Sequence, residues 1–140
     1  MPLRQVAAPS DLVAEPADAF VASLAGGNLL PGIARSAPGG VTQVALDDGG
    51  VCFSTDQREG PVNVLVYPWD VSLALEQPED SALNHVRSEI ASVVVIGNRA
   101  RVRVGRLTAE VTAASVERLG LRRGMRVVAT FKATATRLVG

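Results

Sequence analysis

The two halves of this 140-residue chain look like copies of one another, and this repeat restricts the fold more than any other feature of the sequence. The stretch Asn28–Ile33 resembles Asn84–Ile90 at an offset of 56, and Gly60–Tyr67 resembles Gly124–Phe131 at an offset of 64. The difference of 8 residues is about the length of a short helix that we predict at Ala113–Leu119, in the second copy alone. Copies of this size bury little apolar surface by themselves, so we expect them to pack together or onto a partner.

Both copies consist of strand-length apolar runs that are separated by turn residues. Strict alternation over Arg99–Val104 predicts that its alanine and valines face inward and its arginines outward. Thr112 can cap the predicted helix, and Gly120 suits its end. The other predicted strands are Val41–Leu46, Gly50–Ser54, Val62–Tyr67, Val71–Leu75, Val86–Ile96, Leu107–Val111, Arg126–Phe131 and Thr134–Val139. The pattern predicts a mainly β protein of two tandem, small, antiparallel barrels of the OB type, with one short helix in the second.

Proline and turn signals divide the chain into four parts. These are a lead-in segment at residues 1–16, a first barrel at residues 17–76, a linker at residues 77–80 and a second barrel at residues 81–140. Within the first barrel, Ala17–Leu30 could begin as a helix, although its Gly-Gly pair would weaken the helix interior.

The composition excludes several classes of protein. With 47% hydrophobic and 20% charged residues, the chain belongs with globular proteins and not with disordered ones. No apolar run approaches the roughly 18 residues of a membrane helix, and no basic region followed by an apolar core suggests a secretory signal. We therefore expect a cytoplasmic location and no direct membrane insertion. Cys52 is the single cysteine and His85 the single histidine, so we expect no internal disulfide, no metal cation and no cofactor.

The net charge of zero hides an asymmetry between the halves. Residues 1–80 carry three basic and eleven acidic side chains, whereas residues 81–140 carry eleven basic and three acidic ones. The halves could attract each other, or the second half could offer sites to an anion. Solvated charged faces would also explain the numbers, and charge alone does not decide between these explanations.

Three motifs in the second half resemble the molybdate-binding Mop motif set. They are Ser81-Ala-Leu-Asn84, then Val111-Thr-Ala-Ala-Ser-Val116 with Leu119-Gly-Leu121 after it, and Phe131-Lys-Ala-Thr-Ala-Thr136. Their order and spacing are similar to the family pattern.

The first half resembles the transport-associated OB (TOBE) region that follows the ATPase domain in ABC importer subunits. The resemblance lies in Val66-Tyr-Pro-Trp-Asp-Val71 and in Ala19–Ala22 followed by Asn28–Gly32. Arg4–Leu12 resembles the end of such an ATPase domain. Since the chain shows no G-x-x-x-x-G-K-[ST] phosphate loop, we do not expect it to be an enzyme that hydrolyses ATP.

The resemblance implies a regulatory or accessory domain that binds molybdate or tungstate. It implies a homodimer with binding sites at the subunit interfaces, which promotes subunit association and senses the intracellular oxyanion. In the full-length protein the partners would be an ABC ATPase domain and a membrane permease, at the inner face of the cell membrane. No nucleic acid is implied as a partner.

The resemblance also marks seven oxyanion-binding positions: Ser81, Ala82, Asn84, Thr112, Ser115, Lys132 and Ala133. The chemistry suits a dianion, because hydroxyls, an amide, main-chain N–H groups and one compact ammonium group are donors. The start of the predicted helix adds further N–H groups. Each residue also has a structural explanation, such as helix capping by Thr112 and Ser115 or a turn fixed by Asn84.

The chain departs from the Mop pattern at two places. Leu83 stands where many Mop sequences carry an arginine, which removes one cation from the predicted site. In the first copy, Pro68 and Trp69 occupy the positions equivalent to Lys132 and Ala133. We therefore expect the first copy to be a degenerate scaffold that binds no oxyanion, with Trp69 as a core or interface anchor.

Two alternative functions remain open at this point. A ligand-free structural dimerisation module is favoured by the absence of the arginine at Leu83. An OB-type nucleic-acid-binding module would use a phosphate track of arginines. These are Arg99, Arg101, Arg103 and Arg106. The second alternative is weakened because single-strand binders stack bases on aromatic side chains, and the basic half contains only Phe131.

Overall fold

The computed structural model of this chain describes residues 26–140. They contain ten strands, one α-helix and two 3₁₀ turns. The strands are β1 (Asn28–Ala37), β2 (Val41–Leu46), β3 (Val51–Ser54), β4 (Gly60–Val66), β5 (Ser72–Ala74), β6 (Asn84–Ile96), β7 (Arg99–Val104), β8 (Leu107–Thr112), β9 (Arg126–Phe131) and β10 (Arg137–Val139). The helix α1 spans Ala113–Leu119, and the 3₁₀ turns span Pro68–Asp70 and Ala133–Ala135. The predicted lead-in and residues 17–25 lie outside the described residues.

The strands form two five-stranded antiparallel sheets that repeat one plan. The first sheet has the order β10-β4-β1-β2-β3, and the second has the order β5-β9-β6-β7-β8. In the second sheet the outer strands β5 and β8 come into contact, so the sheet curls toward a small barrel. The internal repeat and the mainly β fold are thus confirmed.

The last short strand of each copy joins the sheet of the other copy. β5 pairs with β9, and β10 pairs with β4. The described chain therefore divides into two compact units, which we call unit 1 (residues 26–66 and 133–140) and unit 2 (residues 67–132). This differs from the linear boundaries at 17–76 and 81–140. The 3₁₀ turn that follows β4 or β9 carries the chain out of its own sheet, so sheet membership changes before the sequence repeat ends.

Local sequence signals explain the elements of unit 2. In β7 the side chains of Ala100, Val102 and Val104 are buried and the arginines are exposed, as the alternation predicts. The Oγ1 of Thr112 accepts the Ser115 N–H and caps α1. Gly120 adopts φ +66° and ends the helix in the left-handed region, which confirms both predicted helix boundaries.

Several boundaries differ from the predicted ones, and the structure gives the reason for three of them. Asn28–Leu30 begin a strand and not the end of a helix, because they pair with Leu65 and its neighbours in β4. β6 begins at Asn84, where the pairing with β9 starts. β10 begins only at Arg137, because the preceding residues form the second 3₁₀ turn.

Apolar side chains form the centre of each unit. The cluster of unit 2 contains Ile90, Val102, Val104, Leu121 and Val127, with Val116 and Leu119 of α1 packed against it. Unit 1 buries the side chains of Leu30, Val44, Cys52, Val62 and Val64.

Polar bonds hold β10 in unit 1. The Leu138 N–H donates to Oδ2 of Asp56 at 2.9 Å, and the Ser54 hydroxyl donates to the carbonyl of Thr136 at 2.5 Å. The Arg58 guanidinium donates to the carbonyl of Leu138 at 3.2 Å. These bonds join the β3–β4 connection to the strand that comes from the other copy.

Candidate functional site

The start of β6 and the end of β9 meet at one end of the unit 2 sheet. Asn84 pairs directly with Phe131, so the segment before Asn84 and the residue Lys132 leave the sheet at the same end. Asn84 and Ala82 are buried, whereas Ser81 and Lys132 are exposed. The structure therefore brings four predicted site residues together. We call this group the β6–β9 end.

Ala133 is the next residue after Lys132, but it belongs to unit 1. Its carbonyl accepts the backbone N–H groups of Thr55 and Thr136, each at 3.2 Å. These bonds fix the second 3₁₀ turn within unit 1. The geometry of the β6–β9 end is therefore argued from the residues of unit 2.

Asp80 adds a carboxylate that the predicted site did not include. Its Oδ1 accepts the Ala82 N–H at 3.1 Å and lies 3.0 Å from Nε2 of His85. The His85 side chain is only 13% exposed, so it is not the solvated surface histidine that is the default for a lone His. An Asp side chain that bonds the backbone two residues later is typical of turns, and this was the sequence signal available for Asp80.

Leu83 remains an apolar, half-exposed side chain beside this group. Among the residues named at the β6–β9 end, Lys132 and Asp80 carry a charge, as does His85 when it is protonated. This end consequently lacks the surplus of positive charge that an arginine at position 83 would supply.

Thr112 and Ser115 form a second group at the start of α1. The Thr112 hydroxyl donates to Oγ of Ser115 at 2.9 Å and accepts the Ser115 N–H at 3.0 Å. The structural explanation that these residues cap the helix is therefore confirmed. The Ser115 hydroxyl proton is used in neither bond, so it can donate to a ligand.

The second group borders a hollow of about 330 Å³ in unit 2. Trp69 and Ser72 line one side, and Arg118 in the last turn of α1 adds a cation. None of the residues at the β6–β9 end lines this hollow. The predicted site residues of unit 2 thus form two groups at different places.

Trp69 lies in the first 3₁₀ turn and is 56% exposed. Its ring stacks on Tyr67 with centroids 4.9 Å apart and planes inclined by 6°. Of the two roles predicted for Trp69, the core role is therefore wrong, because the side chain is exposed and lies outside the apolar cluster; the role of interface anchor stays a prediction.

One buried hydroxyl has no partner among the described residues. Oγ1 of Thr130 is buried without a hydrogen bond, although Ser72 donates to the Thr130 carbonyl at 3.4 Å. In the strand register Thr130 lies between Ser72 of β5 and His85 of β6. Sequence analysis did not predict that Ser72, Thr130 and His85 lie side by side, because nothing in the sequence says that β5 joins β9.

Residues 80–138 match the family model of the TOBE domain. This part of the chain is thus similar to the TOBE family. The match begins at Asp80 and includes all seven predicted site positions. Over 97% of its length, the chain is 30% identical to the molybdate/tungstate import ATP-binding protein WtpC of Pyrococcus abyssi, and it spans 39% of that protein.

The fold resembles a crystal structure of the cytoplasmic molybdate-binding protein ModG with molybdate bound. The TM-score is 0.71 at 20% identity, and the match covers 80% of this chain and 94% of that one. This likeness confirms the fold class. In residues 26–140 no helix is long and apolar enough to cross a membrane. Nor do three His, Cys, Asp or Glu residues gather there in an arrangement for a metal ion.

Proposed function

We propose that this chain binds molybdate or tungstate as an accessory part of an ABC importer ATP-binding subunit. The observation that carries the proposal is the register of Asn84 with Phe131, which gathers Ser81, Ala82 and Lys132 at one end of the sheet. The similarity to WtpC supports the transport context, and the likeness to ModG supports the fold.

The β6–β9 end offers donors of the kind that an oxyanion requires. Lys132 supplies a compact charge with three donors, and Ser81 supplies a hydroxyl at an exposed position. Asn84 supplies a buried amide at the start of β6. A tetrahedral dianion gains most from charge-assisted bonds, so Lys132 is the residue whose loss weakens binding most.

We infer that two copies of the chain associate and complete the site between them. Within one chain, Thr112 and Ser115 border a hollow that the residues of the β6–β9 end do not reach. A second copy related by a two-fold axis brings one group toward the other, and such axes are the commonest symmetry of homo-oligomers. The anion then bridges subunits and promotes their association.

The far end of β6 supports association. Residues Ser92–Ile96 pair with β7, whereas β9 covers only Asn84–Glu89, and no other strand of residues 26–140 pairs with this edge. Val94, Val95 and Ile96 are 51%, 53% and 72% exposed. An apolar strand edge of this kind is a template for pairing with another chain.

Association through the anion would make the domain a sensor. If the oxyanion binds one subunit arrangement better than another, intracellular oxyanion shifts the transporter toward that arrangement. The protein would then lie at the cytoplasmic face of the membrane, through a permease that binds the ATPase domain.

The nucleic-acid alternative has less support. Arg99 and Arg101 each lie 3.1 Å from an oxygen of Glu110, which neutralises part of the proposed phosphate track. Phe131 is 1% exposed and cannot stack on a base without unfolding the sheet.

Isothermal titration with molybdate, tungstate, sulfate and a short oligonucleotide tests the proposal. We expect heat with molybdate or tungstate, and at least about tenfold weaker binding in Lys132→Ala. Arg123→Ala, which removes an exposed cation of the same unit, is the matched control and should bind like the wild type. Light scattering during the titration follows association. A stable dimer that binds no anion would establish the ligand-free dimerisation module instead, and salt-sensitive oligonucleotide binding would establish the nucleic-acid module.

A further inference from the structure

The Asp80 carboxylate already holds one of the donors that an oxyanion would use. The Ala82 N–H is among the main-chain donors expected at the site, and Oδ1 of Asp80 accepts it at 3.1 Å. The same oxygen lies 3.0 Å from Nε2 of His85. One carboxylate oxygen therefore stands where an oxyanion oxygen would accept the Ala82 N–H.

Because Ala82 is buried, the hydrogen bond from its N–H to Asp80 contributes to the stability of the fold. Ala82 is 7% exposed, and a buried N–H without a partner destabilises the folded state. Asp80 supplies that partner, while its side chain remains 33% exposed and has room to turn outward. The carboxylate can thus satisfy the donor when the site is empty and leave it when another acceptor arrives.

The negative charge of Asp80 opposes anion binding at this contact. A carboxylate beside the site repels an approaching dianion, and Leu83 offers no cation to compensate. An anion that binds at Ala82 must displace the Asp80 oxygen and also overcome its charge. Lys132 acts against this repulsion from the end of β9.

We propose that Asp80 sets the anion affinity of this site by occupying the Ala82 N–H in the empty protein. The proposal rests on the proposed function. When the oxyanion binds, the Ala82 hydrogen bond passes from Asp80 to an oxyanion oxygen, and the carboxylate turns toward solvent. Asp80 thereby acts as an internal competitor that raises the oxyanion concentration needed for half-occupancy.

Asp80→Asn separates charge from loop geometry. The asparagine oxygen still accepts the Ala82 N–H, because Asn forms the same kind of turn as Asp, but the negative charge is gone. We expect about tenfold tighter molybdate binding in calorimetry at fixed pH and ionic strength, and a smaller gain at high salt. Glu79→Gln is the matched control. It removes an equal charge from the adjacent exposed residue, and we expect it to change affinity less than about twofold.

The outcomes distinguish this inference from the proposed function. If the wild type binds molybdate and Asp80→Asn binds equally or more weakly, Asp80 only anchors the loop and the inference fails. If neither protein binds, the proposed function fails and this inference fails with it.

A second measurement uses the unmodified chain. In nuclear magnetic resonance spectra, saturating molybdate should shift the Ala82 amide resonance, because its acceptor changes, and should also move the His85 ring signals. An unchanged Ala82 amide at saturation would overturn the proposal, whatever the behaviour of the variant.

Discussion

Units 1 and 2 share a strand order but stabilise the connection after their third strand by different means. In unit 1 the connection from β3 to β4 is held by hydrogen bonds, with Thr42 donating to the Asp56 carbonyl at 2.6 Å and Asp56 N–H donating to Ser54 at 3.0 Å. In unit 2 the connection contains α1, whose Val116 and Leu119 pack on the apolar cluster.

The sheet residues beneath these connections differ accordingly. Thr42 pairs with Ser54 in unit 1, and Ala100 pairs with Val111 at the corresponding register in unit 2. Buried hydroxyls need partners and so require a close-fitting backbone above them, whereas apolar side chains accept a helix. The comparison teaches that one strand order accommodates both a hydrogen-bonded connection beside paired hydroxyl side chains and a helix beside paired apolar ones.

The largest expected effect comes from comparing two fragments of the chain that are divided at different boundaries. A fragment of residues 67–132 contains the whole of unit 2, whereas a fragment of residues 81–140 lacks β5 and carries β10 without its partner β4. We expect the first to melt cooperatively in circular dichroism and the second to be unfolded or associated. Equal melting of both fragments would show that the exchanged strands contribute nothing.

A substitution at Gly32 tests the comparison of the two units at a single strand position. Its equivalent at the repeat offset of 56 is Ser88, which faces Gly105 across the sheet. A Cβ on Gly32 would lie 2.6 Å from the carbonyl oxygen of Ala45, so Gly32→Ala should destabilise unit 1 by about 2 kcal/mol in urea denaturation.

The matched variant for Gly32→Ala is Gly105→Ala in unit 2. There the added Cβ would meet the movable Oγ of Ser88, and the left-handed φ of +57° adds strain. We expect a smaller loss, about 1 kcal/mol. A larger effect at Gly105 than at Gly32 would contradict this account of the two strands.

A variant at Ser54 tests the hydrogen bonds that hold the β3–β4 connection in unit 1. Ser54→Ala removes the donor to the Thr136 carbonyl and the acceptor for the Asp56 N–H, so we expect a loss of about 1–2 kcal/mol in the free energy of unfolding. Ser36→Ala, at an exposed position, should change stability by less than about 0.5 kcal/mol. Similar values for the two variants would mean that these bonds do not secure the connection.

Cys52 gives the smallest expected effect. Burial, with a further contribution from Asp48, raises the pKa of its thiol from 9.0 to about 12. The unfolded chain therefore loses the thiol proton first as the pH rises, and the free energy of unfolding falls between pH 9 and pH 12. Cys52→Ala, which introduces the residue type of Ala109 in unit 2, should show a shallower fall in urea denaturation. Identical slopes would contradict a buried, protonated thiol.

The repeat, the strands and the helix could be predicted because their signals are local. Alternation in Arg99–Val104 fixes which face is buried, and Thr112 with Gly120 marks both ends of α1. The grouping of residues at the β6–β9 end could also be predicted in part, since the motif residues around Asn84 and Lys132 lie at the ends of paired strands.

The strand exchange could not be predicted from the sequence. Ser72–Ala74 and Arg137–Val139 are three-residue strands, and so short a run carries no information about which neighbour it joins. The exposure of Trp69 depends on where the first 3₁₀ turn lies. Such features follow from tertiary contacts that no short pattern encodes.

The exchange of β5 and β10 also bears on how such a fold originates. A single-copy ancestor with this plan would have to borrow its final strand from a second molecule, and its folding would depend on protein concentration. Joining the two copies in one polypeptide supplies that strand at the high effective concentration of a tether. Gene fusion would in this way turn a bimolecular assembly step into ordinary unimolecular folding, and would free the second copy's surface to diverge.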